Sequence, residues 1–349
     1  MKKTLIAAAS LCVVAASYAE SSVTVYGVAD VWIGRESQVA PNASQTVIDS
    51  DGVSDSRVGF YGVEELGAGL QAKFLLEQSF RIDSGATSNN AAEQGNAFNR
   101  QAYLAFTSST GEVRIGKTFT PFDDISGHGH AAFDSIFSPQ EHVWVSTSYM
   151  ANPANTVYYA TPNLGGFSAA LSMSLGEDKD NPNTGKASAV NSVSAQYADG
   201  PLYVGMAYQA ERGQGDGATT VKYFRFNTTY DLEVAKVLFG YGRTQNMGFG
   251  FSGAWDLPSQ NALVKDWELG IDVPMSSDLV VSGGIAGSSD NAAALTNNQS
   301  RRGYGVAAAY TLSKRTMVYG GYQLHKTKDD NNTDSVSAHI TGMGVRHAF

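Results

Sequence analysis

The sequence predicts an all-β fold, a transmembrane antiparallel β-barrel of about sixteen strands. Two patterns and one composition point there. Apolar residues recur at every second position in segments of roughly ten residues, the period of a strand with one face in an apolar medium. The connectors between these segments alternate between short turns and long polar stretches, as the two ends of a barrel require. The third observation is compositional: only 16% of the 349 residues are charged while 37 are glycine. An ordinary soluble domain carries about 25% charged residues, so part of this surface is expected to face something other than water.

The chain opens with a segment of export character. Lys2 and Lys3 precede an apolar run over residues 5–16, and Ser17-Tyr18-Ala19 offers a small-x-small cleavage site. Residues 1–19 are therefore expected to be a cleaved signal peptide and residues 20–349 a single barrel domain. The apolar run is shorter than the ~20 residues of a spanning helix. A lipoprotein signal fits poorly, because Cys12 lies inside the run and follows Leu11. Loss of this segment removes the only cysteine and leaves 22 basic against 33 acidic side chains, a net charge of −11. Disulfides and thiol-based redox or metal chemistry are excluded for such a chain. An acidic chain also lacks the basic footprint of a nucleic-acid binder.

Along the remainder, no apolar run approaches the 18 residues of a membrane helix. The charge-free stretch 142–176 is broken by Asn152, Pro153, Pro162, Gly165 and Gly166 into strand, turn and strand. Alternation is clear where Leu70, Ala72, Phe74 and Leu76 share one face and Gln71, Lys73 and Glu77 the other. The same holds for Trp267, Leu269, Ile271 and Val273 against Glu268, Gly270 and Asp272, and for Tyr304, Val306, Ala308 and Tyr310 against small residues. The second face is mostly Gly, Ala, Ser and Thr, and aromatic residues gather near segment ends, as at Phe106, Tyr159, Phe167, Tyr230 and Tyr322. A secreted β-sandwich or β-helix would also alternate, but no fixed-period repeat is present. Short connectors fall at 66–69, 108–111, 162–165, 199–201, 231–233, 274–278 and 313–315. Long ones fall near 35–56, 81–97, 120–151, 176–189, 212–219, 246–265, 287–301 and 326–335. Seven short and eight long connections make sixteen strands, with the short turns on the periplasmic side.

Motifs of catalysis are weak. Residues 248–253 (GFGFSG) fit a dinucleotide-binding pattern literally, but no strand-to-helix unit surrounds them, so an external loop is expected. His128, His130 and His142 match no established metal spacing. Neither a G-x-S-x-G nor an H-E-x-x-H motif occurs. No enzyme activity, cofactor or metal is expected. Acid clusters at Asp49, Asp51 and Asp55, at Glu177, Asp178 and Asp180, and at Asp329, Asp330 and Asp334 read as solvated loop faces, with divalent bridging to lipid phosphate as an alternative.

Several motifs carry a resemblance to a known family. Residues 56–70 (SRVGFYGVEELGAGL) and 71–77 (QAKFLLE) match in order and spacing the second strand, first tight turn and third strand of the Gram-negative general porins, sixteen-stranded and trimeric. Residues 23–30 (VTVYGVAD), 98–103 (FNRQAY), 113–117 (VRIGK), 120–123 (TPFD) and 342–349 (GMGVRHAF) are similar to further segments of that family. The resemblance implies an outer-membrane homotrimer that passes ions and small hydrophilic solutes, sits in outer-membrane lipid and lipopolysaccharide, and carries an inward-folded third external loop. It also implies recognition of the terminal Phe349 by outer-membrane assembly machinery, with Val345 and Met343 at alternate positions before it; His347 stands where many relatives carry Tyr.

By the same resemblance the third loop, beginning at Thr120-Pro121, narrows the lumen and brings Asp123, Asp124, Asp134 and Glu141 to it. Arg57 and Arg100 match wall positions that are basic in the family. Lys73 and Arg114 alternate with apolar neighbours, so their side chains are expected in the lumen. Acids on one side and bases on the other would set a transverse field at the narrowest section. Pairing of Arg57 and Arg100 with Glu64, Glu65 or Glu77, and a loop-capping role for Asp123 and Asp124, are the alternatives. Tyr158 occupies an inward site that is often basic in relatives, which argues against a strong anion preference. A solute-specific porin, or a plugged barrel acting as an enzyme or adhesin, is the alternative function.

Overall fold

Alternating side chains and tight turns build one closed antiparallel sheet. The computed structural model describes residues 22–37, 44–87, 96–178, 185–216, 218–247, 262–291, 299–329 and 336–349. The expected signal peptide and the 248–253 motif lie outside these residues. Strands β1 (Ser22–Ser37), β2 (Ser44–Ser50), β3 (Arg57–Gly67), β4 (Leu70–Ser79), β5 (Gln101–Ser108), β6 (Gly111–Lys117), β7 (Thr156–Ala160), β8 (Phe167–Leu175) and β9 (Ala189–Asp199) form the first half. The second half holds β10 (Leu202–Arg212), β11 (Thr220–Asp231), β12 (Lys236–Met247), β13 (Ala262–Pro274), β14 (Leu279–Asn291), β15 (Gln299–Thr311), β16 (Thr316–Asp329) and β17 (Val336–Ala348). Two short helices, α1 (Pro121–Asp124) and α2 (Pro139–Val143), lie in the connection between β6 and β7.

Each strand pairs with its sequence neighbour, and β1 pairs with β17 from Val28↔Ala348 to Ser37↔His339, which closes the barrel. The seam is completed by Phe349, whose N–H donates to Gly27 O while Gly27 N–H donates to Phe349 O, both at 3.1 Å. Strands β2 and β3 pair with successive halves of β1 and make one stave, so the barrel has sixteen staves, as the connectors predict. The break between them has a cause in Asp30. Its buried carboxylate accepts from the backbone N–H groups of Gly52 (3.3 Å), Val53 (3.0 Å) and Ser54 (2.9 Å) and from the Tyr319 hydroxyl. Those donors are turned inward toward a charge instead of sideways into the ladder.

The seven short connectors stand where the sequence places them. The external ends differ from the sequence-based boundaries, because strands continue through segments that read as loops. β12 runs to Met247, β14 to Asn291 and β16 to Asp329, and β2 lies wholly within the stretch 35–56. Pairs such as Ser288↔Arg301 and Arg302↔Lys326 keep the ladder intact there. Backbone hydrogen bonds hold these ends, and above the apolar band a strand has no need of apolar side chains, so hydropathy loses sight of them.

Burial is inverted relative to a soluble domain. Large apolar residues point outward, with Val23 (62% exposed), Leu104 (64%) and Met343 (66%) as examples. Among the described residues, buried apolar clusters form only where the β6–β7 connection packs on the inner wall. One contains Phe122, Ile125, Val221, Tyr223 and Val264. A second joins Trp32, Phe137, Ala307, Tyr319 and Ile340.

Candidate functional site

The β6–β7 connection lies inside the barrel and lines much of its wall. It starts at Thr120, which caps α1 and whose N–H donates to Ala151 O (2.8 Å), tying the two ends of the loop together. From there the wall holds it by a sequence of polar contacts. Ser192 Oγ on β9 accepts from Phe122 N–H (3.0 Å), and Asn227 Nδ2 on β11 donates to Ile125 O (2.8 Å). On β13, Glu268 accepts from Ala131 N–H (2.9 Å) and pairs with His130 Nδ1 (2.8 Å), and Asp266 accepts from Ser146 N–H (2.9 Å). On β14, Ser282 Oγ accepts from Ala132 N–H (2.6 Å). At the far side Ile136 N–H donates to Gly52 O (3.0 Å). The wall makes room through missing side chains. A Cβ on Gly270 would stand 2.6 Å from Ala131 Cβ, and one on Gly303 would stand 2.6 Å from Val143 Cγ2.

The loop thus covers the inner face from β9 round through β16 and β17 to β1 and leaves β3 to β6 open. Its residues divide accordingly. Phe122, Ile125, Phe137 and Val143 are buried against the wall, while Asp124, Asp134 and Glu141 are exposed on the other edge. Asp134 reaches that edge by a left-handed turn, with φ of 52° at Ala132, 64° at Phe133 and 51° at Asp134. Such a conformation costs about 1–2 kcal/mol per non-glycine residue, which the contacts to Glu268 and Ser282 offset.

Across from this edge stand the basic residues singled out from the sequence, in two layers. In the first, buried Glu77 accepts from Arg100 Nε (2.7 Å) and from Tyr26 Oη–H (2.7 Å), and Arg57 Nε lies 3.5 Å away. Arg100 also pairs with Asp55, and Arg57 Nη1 donates to Asp55 O (3.0 Å). In the second layer, nearer the short turns, Glu112 joins Lys73 Nζ (3.2 Å) and Arg114 Nε (2.7 Å). All four bases lie on the inner face of the wall, and each is ion-paired. Period-two alternation also places Glu112 inward, but the sequence reading does not single it out.

Arg114 connects the two sides. Its guanidinium lies 4.5 Å from the ring centroid of Tyr158, and the Tyr158 hydroxyl donates to Asp124 Oδ2 (2.7 Å). Asp123 turns the other way and accepts from Tyr149 Oη–H (2.6 Å) within the loop. The two adjacent aspartates thus do different things: Asp123 braces the loop and Asp124 meets the opening. Burial pushes the Asp123 carboxyl up to about 6, with neighbouring Asp124 adding to the rise. Glu141 is pushed up to about 7 by its confinement inside the barrel and by Asp134. For His130, burial acts downward, but the hydrogen bond to Glu268 together with the charges of Asp134 and Glu268 outweighs it, and the imidazole is raised.

Behind the loop, the buried Arg225 sits over three of its rings: Phe122 at 5.0 Å, Trp144 at 5.4 Å and Tyr149 at 5.4 Å. The sequence reading misses this residue, although alternation on β11 assigns it to the inner face. The three loop histidines do not converge: His128 stacks on Tyr203, His130 pairs with Glu268 and His142 stacks on His325. Among the described residues no group of three metal-ligating side chains occurs.

Comparison with known proteins agrees with this architecture. A family model described as Gram-negative porin matches residues 7–330. An outer membrane porin protein of Bordetella pertussis is 30% identical, over the whole of both chains. Among solved structures, an anion-selective porin from Comamonas acidovorans superposes with a TM-score of 0.75 at 23% identity, covering 95% of this chain and 100% of that one. A trimer form of OmpT from Vibrio cholerae gives 0.67 at 14% identity, covering 94% and 99%.

Proposed function

The chain belongs to the Gram-negative porin family, and we propose that its constriction is the gap between the exposed loop edge, with Asp124, Asp134 and Glu141, and the open wall of β3 to β6, with Arg57, Lys73, Arg100 and Arg114. The protein is an outer-membrane porin, a channel for passive passage of ions and small hydrophilic solutes, and its relatives are channels rather than enzymes. The observation that supports this constriction is the division of the inner loop into a wall-packed face and an acid-bearing free edge opposite the only stretch of wall, among the described residues, that presents a cluster of bases.

The acids on the loop edge have no cationic partner within ion-pairing distance among the described residues, whereas the wall bases are held by Glu77 and Glu112. A solute between them crosses a transverse field in a narrow, weakly screened passage. Dipolar solutes align with it, and the sign balance at this section sets the preference between anions and cations. Two further readings belong to the proposal. Residues 1–19 are removed on export, and the barrel works as a homotrimer, which the trimeric form of a structural neighbour supports.

Purified protein in a planar bilayer tests the channel. Steady conductance steps in multiples of three that do not saturate with solute are expected. Block by one solute class would instead mark a solute-specific porin, and absence of conductance would mark a plugged barrel. Unchanged reversal potentials in a salt gradient after neutralising Asp124 or Arg100 would overturn the assignment of the constriction.

A further inference from the structure

The bases of the open wall stand among aromatic side chains, a pairing that a transverse field alone does not use. The Arg114 guanidinium lies over the rings of Tyr103 (5.3 Å) and Tyr158 (4.5 Å), and that of Arg100 over Phe119 (5.2 Å). Tyr26 lies across Gly59, where a Cβ would stand 2.5 Å from its ring. Alternation turns Tyr61 to the same inner face, because its cross-strand partner Leu75 shares a side of β4 with Lys73 and Glu77.

The registers set these residues in rows across the wall. Tyr61 is opposite Leu75, and Leu75 is opposite Tyr103. Two residues nearer the short turns, Lys73 is opposite Ala105, Ala105 opposite Arg114 and Arg114 opposite Tyr158. Two residues the other way stands Glu77 with Arg57 and Arg100. Such rows lie roughly 7 Å apart along the strands. The middle row carries no charge: Leu75, 8% exposed and apart from the apolar clusters under the inner loop, is flanked there by two tyrosines. In the row nearer the short turns, Lys73 and Arg114 share one ion-pairing carboxylate, Glu112, so one positive charge is left over. The exposed acids of the loop edge, Asp124, Asp134 and Glu141, repel an anion toward this wall.

We propose that this patch is a weak binding site for aromatic monocarboxylates, which lay the ring on Tyr61 and Tyr103 and the carboxylate on Lys73 and Arg114. A ring gains from offset or edge contact with tyrosine faces, and the carboxylate accepts charge-assisted hydrogen bonds from an ammonium and a guanidinium. A short carbon arm between ring and carboxylate bridges the two rows. Phosphate or a small aliphatic acid brings the charge but leaves the tyrosine row untouched, and a neutral aromatic solute brings the ring without an anchor. A channel site has to be favourable enough to enter and weak enough to leave, so this one raises the passage of its solutes without saturating the channel for small ions. The inference rests on the reading of the open wall as one side of the constriction and names a solute class for it.

The test sets the full folded chain in a planar bilayer between potassium chloride and the potassium salt of phenylpropanoate or of cyclohexylpropanoate, two probes of equal charge and carbon skeleton. The reversal potential gives the permeability of each carboxylate relative to chloride. Wild type is expected to pass the phenyl compound better by about threefold or more. Tyr61→Leu with Tyr103→Leu is expected to bring the ratio of the two probes to one, and Tyr61→Phe with Tyr103→Phe to keep it. Lys73→Met is expected to lower both probes alike relative to chloride. Heat-modifiable gel mobility establishes that the variants are folded, and a ratio taken within one channel does not depend on channel number. A wild-type ratio near one overturns the inference and leaves the channel standing, as does a ratio that persists in the leucine variant and so reports ring thickness alone. Absence of conductance overturns both.

Discussion

The guanidinium of Arg225 lies 5.0 Å over the ring of Phe122, so a cation rooted in the barrel wall is seated on an aromatic side chain of the inner loop. With Trp144 and Tyr149 also within reach, Arg225 joins both ends of that loop to β11. A desolvated cation over an aromatic face contributes about 2 kcal/mol. Arg225→Met is therefore expected to keep the barrel but loosen the loop, giving noisier single-channel currents and a lower urea midpoint. Arg225→Lys should restore part of both. Quiet currents of wild-type size in Arg225→Met would show that the loop is held without it.

Glu77 is shared by Arg57 and Arg100 and is itself buried. Glu77→Gln leaves Arg57 without its carboxylate partner and Arg100 with Asp55 alone in a half-buried layer, a change that costs about 3 kcal/mol and adds one positive charge to the wall. Zero-current potentials in a potassium chloride gradient should move toward anion preference. A shift toward cations would contradict the arrangement of the two layers.

The acids at the loop titrate in an accessible range. Asp123 at about 6 and Glu141 at about 7 are mostly ionised at pH 8 and mostly protonated at pH 5. Protonation removes negative charge, so anion preference is expected to rise as pH falls through this window. Glu141→Gln should remove the upper part of the change, and a flat pH profile in wild type would contradict it.

Gly270 lies under Ala131, and a Cβ there would come within 2.6 Å of the Ala131 Cβ. Gly270→Val adds bulk that the loop must avoid, at a cost of about 1–3 kcal/mol. The expected readout is an altered conductance with an unaltered barrel, since circular dichroism and gel mobility report the sheet and not the loop. A wild-type conductance would mean that the loop does not depend on this seat.

Phe349 packs on the outer side of Gly27 and closes the hydrogen-bonded seam. The assembly-signal role that the family resemblance implies for Phe349 is open to test: if it holds, Phe349→Ser lowers the amount of protein in isolated outer membranes several-fold while refolding of the purified chain in detergent continues. Equal loss in both assays would point to a seam defect instead.

Legibility in the sequence follows the physics of each feature. Alternation at Leu70 to Glu77 and Tyr304 to Tyr310 is enough to orient side chains, because a strand in a membrane has only two environments to satisfy. It places Lys73 and Arg114 in the lumen without any structure. The external strand ends were hidden, since the pairs Ser288↔Arg301 and Arg302↔Lys326 are held by backbone hydrogen bonds that no hydropathy pattern records. The opposite uses of Asp123 and Asp124 were hidden for a related reason. Adjacent acids in a loop have no fixed period, and only the positions of Tyr149 and Tyr158 decide which carboxylate is bound inside the loop and which meets the opening.

By itself the sequence determined the barrel, its stave number, its two-faced wall and the side of that wall on which each strand residue lies, because period and turn chemistry are local properties of the chain. Tertiary structure alone decided the path of the inner loop from β9 round to β1 and the pairing of Arg57 and Arg100 through Glu77. Those depend on which distant residues come opposite one another, and register is set only when the sheet closes and the loop finds the glycine-lined seat that fits it.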